Sequence, residues 1–314
     1  MRKELGTFVL LVVLCVVVAA INPRFLGGAN LQNMARLIGM YGIFSIGIGV
    51  VIITGGIDLS VGSMFALLGV LLSIFLVDWG WPGAAAVLAV TAVAVGLGLT
   101  HGLLITRLRV QPFIVTLCGL LFYRGLARFI ADDETKGFGT GAGFEWLAAL
   151  ATGSLFGVPM PFVLLVVIAL VMWVVLHRSV YGRYLFAVGR NEEAARYSGI
   201  DARAVVASAY VVSGLMAGVA GVLLAFYTNS VSPSSHGNFF ELYGIAAAVL
   251  GGCSLRGGEG SVVGIIIGAA LLQVLQNLVN LLGIPSSLNF AVMGAVILVG
   301  VIADQLLSRR SARA

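Results

Sequence analysis

Residues 55–62 read GGIDLSVG and place an aspartate among glycines between two long apolar runs. The flanking runs, 35–54 and 61–77, have almost no charged residues. A charge at the centre of a hydrocarbon layer costs at least about 2.5 to 3.5 kcal/mol, even on mild insertion scales. Asp58 therefore needs a specific role in a chain of this kind.

The whole chain has the composition of a membrane protein. Of its 314 residues, 60% are hydrophobic and only 10% are charged, whereas soluble domains carry roughly 25% charged residues. Several runs reach the roughly 18 residues that can cross a bilayer as a helix. We predict an all-α, polytopic helical membrane protein with about ten transmembrane helices, formed as one transmembrane domain over residues 1–314.

Ten apolar runs have the composition of membrane spans. The run 241–252 is too short to cross alone, so it is predicted to be a half-span or to extend at one end. The first run follows Arg2 and Lys3 without a clean cleavage site, which favours a retained span over a signal peptide. The predicted spans are 7–21, 35–54, 61–77, 83–106, 113–130, 160–177, 204–227, 241–252, 261–282 and 288–307.

Basic residues predict the orientation. With both termini in the cytoplasm, the inner segments include a long loop at about 178–203, and the outer loop at about 131–159 carries several acidic residues. The net charge of +5 then comes from arginines at helix ends, which contact membrane lipid. No nucleic-acid partner is expected. Most of the 18 basic residues fall inside: Arg2, Lys3, Arg107, Arg109, Arg178, Arg183, Arg190, Arg196, Arg203, Arg309, Arg310 and Arg313.

The opening stretch has an echo, because AVLGGCSLRGGEG (248–260) aligns with VIITGGIDLSVGS (51–63) when Gly55 is set on Gly251. In each copy the glycine pair is predicted to end one helix, and Asp58 or Ser254 to cap the next. Transporters often contain repeats with interrupted helices near the substrate path. Three interpretations of Asp58 stay open: the cap of a helix starting at Leu59, a path-lining group, or both. Candidate path residues are Gly55, Gly56, Asp58, Ser60, Ser63, Gly251, Gly252 and Ser254.

The inner loop contains a short helix signal in NEEAARYSG, residues 191–199. It has an asparagine N-cap, two glutamates in the first turn and a glycine suited to a left-handed C-cap. A helix of about seven residues is unstable alone in water and must dock on something. It either joins two spans as a surface turn or fits a cytosolic partner. Its candidate residues are Asn191, Glu192, Glu193, Ala194, Ala195, Arg196, Ser198 and Gly199.

The sequence lacks nucleotide-binding, catalytic and metal-binding motifs. The two lysines, Lys3 and Lys136, lie in no phosphate-binding loop, so any ATP must be bound by another chain. The sequence contains neither a catalytic motif nor a metal-ligand cluster. Its three cysteines lie in apolar surroundings typical of packing residues. We therefore expect neither a catalytic nor a metal site, and no cofactor in this chain.

Four stretches carry a family resemblance over nearly the whole chain. The sequence is similar to the inner-membrane permease subunits of bacterial ABC sugar importers, the ribose, xylose and galactoside group, and most of all to the ribose type. The stretches are VIITGGIDLSVGSMFALLGV (51–70), RVQPFIVTLCGLLFYRGL (109–126), GRYLFAVGRNEEAARYSGID (182–201) and ELYGIAAAVLGGCSLRGGEGSVVGIIIGAALLQVLQNLVNLLGI (241–284).

The resemblance implies a non-enzymatic subunit that forms the path for a monosaccharide. It implies a homo- or heterodimer with a second permease copy and a cytosolic ABC ATPase, typically with two fused nucleotide-binding domains that hold ATP and Mg. A periplasmic or lipid-anchored binding protein would deliver the sugar, and the helix at 191–199 would dock on the ATPase. An ion-coupled secondary transporter of a small polar solute is the alternative. A membrane enzyme is disfavoured by the missing motifs.

Overall fold

The computed structural model describes residues 2–139 and 143–285, with the single positions 288, 291, 294, 295 and 298. About three quarters of these residues are helical and very few lie in strands, which confirms the predicted fold class. The helices are α1 (Arg2–Ile21), α2 (Gly28–Ile53), α3 (Val61–Ser73, extended by a π-helical turn at Ile74–Asp78), α4 (Gly83–Arg107), α5 (Pro112–Ile130), α6 (Glu145–Thr152), α7 (Met160–Arg178), α8 (Val180–Arg190), α9 (Glu192–Tyr197), α10 (Ala202–Thr228), α11 (Phe240–Leu250) and α12 (Val262–Leu281).

Eight helices of the described ranges are long and apolar enough to cross a membrane: α1, α2, α3 with its extension, α4, α5, α7, α10 and α12. They correspond to eight of the predicted spans. Helix α11 has 11 residues and covers only about 16 Å at 1.5 Å per residue, which confirms the half-span prediction for 241–252. The predicted span 288–307 lies outside the described residues, apart from the five single positions.

Helices α2, α3 and α10 form the centre of the bundle. Residues 39–53 of α2 are buried without interruption, so this part of the helix is enclosed on all sides. Helix α10 packs against α4, α2 and α3. Large side chains fill the space between them, including Tyr210, Phe44 and Phe65.

Small residues bring α4 and α10 into backbone contact, as the GLGLTHG pattern at 96–102 predicts. A Cβ built on Gly98 would lie 2.3 Å from the carbonyl oxygen of Tyr210. A Cβ on Gly102 would lie 2.7 Å from the Cα of Ala207. Any larger side chain at these two positions would push the helices apart.

The outer helices present apolar faces. Helix α1 packs mainly on α12 and exposes most of its large hydrophobic side chains, and α5 and α7 each expose an apolar face. In a bilayer such apolar side chains contact lipid tails. The helix backbone tolerates that contact because its polar groups are paired within the helix.

Short strands, which the sequence did not predict, order the connections at 131–159 and after α10. Strand β1 (Lys136–Gly137) pairs antiparallel with β4 (Ser230–Val231), so the loop at 131–159 is tied to the segment after α10. Strands β2 (Ser154–Leu155) and β3 (Val158–Pro159) form a hairpin before α7. Each pair satisfies backbone groups that helices cannot reach in these connections.

Much of the segment predicted as a loop at about 178–203 is helical, which corrects that reading. Helix α8 begins where the Ser179 hydroxyl accepts a hydrogen bond from the Gly182 amide (3.1 Å). It buries Gly182, Leu185 and Val188 along one face. The signal for this helix, a serine cap followed by apolar residues at three-residue spacing, is present in the sequence.

Candidate functional site

Both glycine breaks end a helix with the same turn. After α2, the Gly55 amide donates to the carbonyl three residues back (2.9 Å) and the Gly56 amide to the carbonyl five back (3.1 Å). After α11, the amides of Gly252 and Cys253 repeat both bonds (each 2.9 Å). Gly55 has a φ of 81° and Gly252 a φ of 94°, as this helix ending requires. The two breaks therefore share the same helix-ending turn. The predicted alignment was wrong by one residue, since Gly55 matches Gly252 and not Gly251.

The predicted caps are wrong for both following helices. Helices α3 and α12 begin at Val61 and Val262, close to the starts of the predicted spans, and their N-cap residues are Ser60 and Ser261 and not Asp58 and Ser254. The Ser261 hydroxyl accepts a first-turn amide (3.0 Å), whereas Ser60 makes no side-chain cap bond. Asp58 lies two residues before the cap of its helix. Ser254 lies in a tight turn, where its hydroxyl accepts from the Arg256 amide (3.2 Å).

Asp58 lies inside the bundle, with 1% of its surface exposed. One carboxylate oxygen accepts from the Ser60 amide (3.0 Å) and the Ser60 hydroxyl (2.7 Å). The other oxygen accepts from the Ser213 hydroxyl (2.8 Å). Ser213 is near the middle of the 27-residue helix α10, so the carboxylate joins the helix break to the bundle centre. Among the described residues no basic side chain forms an ion pair with Asp58, and these charge-assisted bonds stabilise it instead.

A second group of polar side chains forms hydrogen bonds with the backbone of the break between α2 and α3. The Ile57 carbonyl accepts from the hydroxyls of Tyr210 (3.2 Å) and Thr116 (3.4 Å). Beside them, the Tyr123 hydroxyl and the His101 Nε2 lie 2.7 Å apart. His101 is 2% exposed, and its Nδ1 has no partner in the described ranges. Helices α5 and α10 thus supply hydroxyl donors for the backbone of the break, as an interrupted helix needs in a membrane.

Two further charges lie where the N-terminal ends of α3 and α11 meet. The buried Glu241 carboxylate contacts the backbone of Gly62, including its amide. The Arg124 guanidinium donates to the carbonyls of Pro233 (3.0 Å), His236 (2.8 Å) and Gly62 (3.3 Å). The segment between β4 and α11 therefore folds into the bundle, and two helix starts meet inside it, as in interrupted-helix transporters.

The predicted path residues separate into two places. Asp58, Ser60 and Ser63 are buried together in the polar cluster just described. The other five lie at or beside the ends of α2 and α11: Gly55, Gly56, Gly251, Gly252 and Ser254. Their roles in transport stay predictions.

The sequence reading missed several members of the buried cluster. His101, Arg124 and Glu241 are ionisable residues within or beside apolar runs, and that placement is itself a signal of function in a membrane protein. Ser213 carries no such signal, because a lone serine in an apolar helix is common. Its role follows only from its contact with Asp58, 155 residues away in sequence.

The two helix endings meet the last residues of α8 in a second place, which we call the glycine junction (Ile53, Gly55, Gly189, Gly257 and Gly258). The Gly258 amide donates to the Ile53 carbonyl (2.8 Å). A Cβ built on Gly189 would lie 1.8 Å from that carbonyl oxygen and 2.6 Å from the Gly258 nitrogen. A Cβ on Gly257 would lie 2.6 Å from the Gly189 carbonyl oxygen. Backbone packs directly on backbone here, one residue before Arg190 ends α8.

Helix α9 has the features predicted for residues 191–199. The Asn191 side chain accepts from the Ala194 amide (2.9 Å), both glutamates lie in the first turn, and Gly199 has a φ of 84°. Ala195 is only 4% exposed and packs against its own chain, and the docking roles of the other candidate residues stay predictions. Tyr197, which the sequence reading left out, is 88% exposed.

Interrupted helices, buried charges and a lipid-facing surface define this chain as a multi-pass membrane transport protein. The chain belongs to the family described as branched-chain amino acid transport system / permease component, whose model matches residues 30–301. It is a transport subunit and not an enzyme.

Curated relatives are similar over nearly their full length. The chain is 39% identical to the ribose import permease protein of Bacillus subtilis (strain 168), over 96% of this chain and 93% of that protein. It is 36% identical to the ribose import permease protein of Escherichia coli (strain K12), with the same coverage. It is 31% identical to the D-allose transport system permease protein of Escherichia coli (strain K12), over 97% of this chain and 92% of that protein. No solved structure matches the chain. The predicted resemblance is confirmed.

Proposed function

We propose that this chain is the permease subunit of an ATP-driven importer of a monosaccharide, ribose or a related simple sugar. Two relatives are named for the import of ribose and the transport of D-allose. These names support this function over an ion-coupled secondary transporter. A cytosolic ABC ATPase with two fused nucleotide-binding domains binds ATP and Mg. A periplasmic or lipid-anchored protein delivers the sugar, and a second permease copy completes the assembly in the inner membrane.

Helix α9 is the observation that supports ATP coupling best. It is held to its own chain by Ala195 and by its neighbours α8 and α10, so six residues remain helical without further support. Its outward side presents Glu193, Ala194 and Tyr197. A rigid exposed aromatic beside small and charged residues is typical of the energetic centre of a protein interface.

In this proposal both termini and α9 face the cytoplasm, and the loop at 131–159 faces outward. The loaded binding protein docks on the outer segments, and ATP closes the nucleotide sites on the inner side. Movement of α9 then opens the path outward, and hydrolysis reverses it. Asp58, Ser60 and Ser63 line the path when the helices part, while the glycine breaks allow that movement.

Replacing Tyr197 by alanine is expected to weaken binding of the ATPase subunit about thirtyfold, which corresponds to a hot-spot loss of about 2 kcal/mol. Binding of the purified ATPase to the permease in nanodiscs measures the effect. Tyr184→Ala is the matched control, because Tyr184 is 41% exposed on the neighbouring helix α8. Equal binding by the Tyr197 and Tyr184 variants would contradict the docking role.

A double change, Glu193→Lys with Ala194→Trp, tests coupling in the assembled transporter. Both side chains are exposed, so the variant should reach the membrane in normal amount. ATP-dependent ribose uptake in proteoliposomes that contain the binding protein and ATPase should fall at least tenfold, an estimate based on the same hot-spot energies. Normal uptake would exclude α9 as the coupling element. Uptake driven by an ion gradient without ATP would favour the secondary transporter.

A further inference from the structure

We infer that the chain holds an anionic phospholipid in a cavity between the ends of α4 and α10, beside α9. The cavity has a volume of about 670 Å³. Its walls include Leu103 and Arg107 from α4, Arg196 from α9, and Arg203 and Ala207 from α10. Three arginines thus line one space at the rim of the bundle.

The charge of the cavity calls for an anion. Among the described residues that line it, Asp201 is the single acidic one, and its carboxylate already accepts a hydrogen bond from the Ala204 amide (3.1 Å) at the start of α10. Arg107, Arg196 and Arg203 are exposed and form no ion pair within residues 2–139 and 143–285. Guanidinium groups bind phosphate oxygens in pairs of parallel hydrogen bonds, so a phosphate headgroup fits this set.

The apolar wall points to a lipid and not to a soluble phosphate. Leu99, Leu103 and Arg107 follow one another at four-residue spacing, so they lie along one face of α4. The two leucines are 44% and 41% exposed, and Leu103 also lines the cavity. A phospholipid can place its phosphate among the arginines and an acyl chain along the leucines, whereas a free anion would use only the arginines.

Ala207, which lines the cavity, is also where α10 packs directly against Gly102 of α4. The cavity wall also contains Gly199 and Ile200, the link from α9 to α10. A bound headgroup would therefore contact the α9 side and the transmembrane side at once. The inference goes beyond the proposed function, and lipid binding can be measured without the ATPase.

The test compares phosphatidylglycerol retention by native mass spectrometry of the full chain, released from bilayers of phosphatidylglycerol and phosphatidylcholine. The variant Arg107→Gln with Arg203→Gln leaves α9 intact. Each arginine removed is expected to weaken retention on the order of fivefold, the effect of one basic residue near an anionic surface. The matched control, Arg178→Gln with Arg183→Gln, removes two exposed arginines outside the cavity and should retain the lipid like the unchanged chain.

A charge-preserving pair, Arg107→Lys with Arg203→Lys, is the control for misfolding. It should retain more lipid than the glutamine pair. Equal retention by the glutamine pair and its control would overturn the inference. Displacement of the lipid by millimolar inorganic phosphate would assign the cavity to soluble anions and also overturn it. Loss of ATPase binding with unchanged lipid retention would identify a protein-docking surface instead.

Discussion

Alanine in place of Gly189 is expected to abolish transport and to reduce the amount of folded protein. Glycine to alanine inside a helix normally stabilises it by about 1 kcal/mol. Here the new methyl group would lie 1.8 Å from the Ile53 carbonyl oxygen, and overpacking a filled site typically costs about 1–3 kcal/mol. The opposing atoms are backbone, which cannot rotate away as a side chain can. The clash therefore outweighs the gain in helix propensity.

Gly96→Ala is the matched control for this prediction. Gly96 lies inside α4, and a Cβ there would meet no atom within 4 Å, so alanine should leave melting temperature and uptake unchanged or slightly raised. Thermal melting of the purified protein and sugar uptake in proteoliposomes measure both variants. A Gly189→Ala protein with normal melting temperature and uptake would contradict the prediction, because the backbone segments of the glycine junction could then move apart without loss. A folded variant in which ATP is hydrolysed without uptake would place the junction on the route from α9 to the bundle.

Replacing Asp58 by alanine is expected to leave little folded protein in the membrane. The change removes the acceptor for three hydrogen bonds, two from Ser60 and one from Ser213. A buried donor left unpaired costs about 1–3 kcal/mol, so the summed loss is comparable with the whole stability of many proteins. The yield and melting temperature of the detergent-purified protein measure this loss.

Asp58→Asn separates the structural role from a role in the path. The amide keeps one oxygen for the Ser60 pair, and the Ser213 hydroxyl can turn to accept from the new amide group. We therefore expect a folded protein with near-normal uptake. Ser213→Ala, which removes one bond of the three, should melt between the unchanged chain and Asp58→Ala. A folded Asp58→Asn protein without uptake would show that the carboxylate charge itself takes part in transport.

Local signals in the sequence predict where the helices end. Gly55, Gly199 and Gly252 all adopt positive φ after a helix, a conformation that glycine adopts at little steric cost. The lengths of the spans are equally local, because they depend only on runs of apolar residues matched to the bilayer. These parts of the fold need no knowledge of distant contacts.

The role of Asp58 beside the start of α3 depends on distant partners and could not be predicted from neighbouring residues. Asp58 fails to cap α3 because its carboxylate is occupied by Ser60 and by Ser213 on α10. The first turn of α3 instead meets Glu241, almost 180 residues later in the chain. Such pairings follow from the packing of the bundle, so a cap inferred from neighbouring residues was the wrong choice.

The short length of α11 has a consequence for how the protein enters the membrane. Its 11 residues are about half of what a segment needs to be retained in a bilayer by its own hydrophobicity. We expect α11 to depend on its neighbours for its place in the membrane, since the Glu241 carboxylate in its first turn contacts the backbone of Gly62 on α3. The longer helices can stay in a bilayer by their own hydrophobicity, so α11 is the helix whose insertion depends on tertiary contacts.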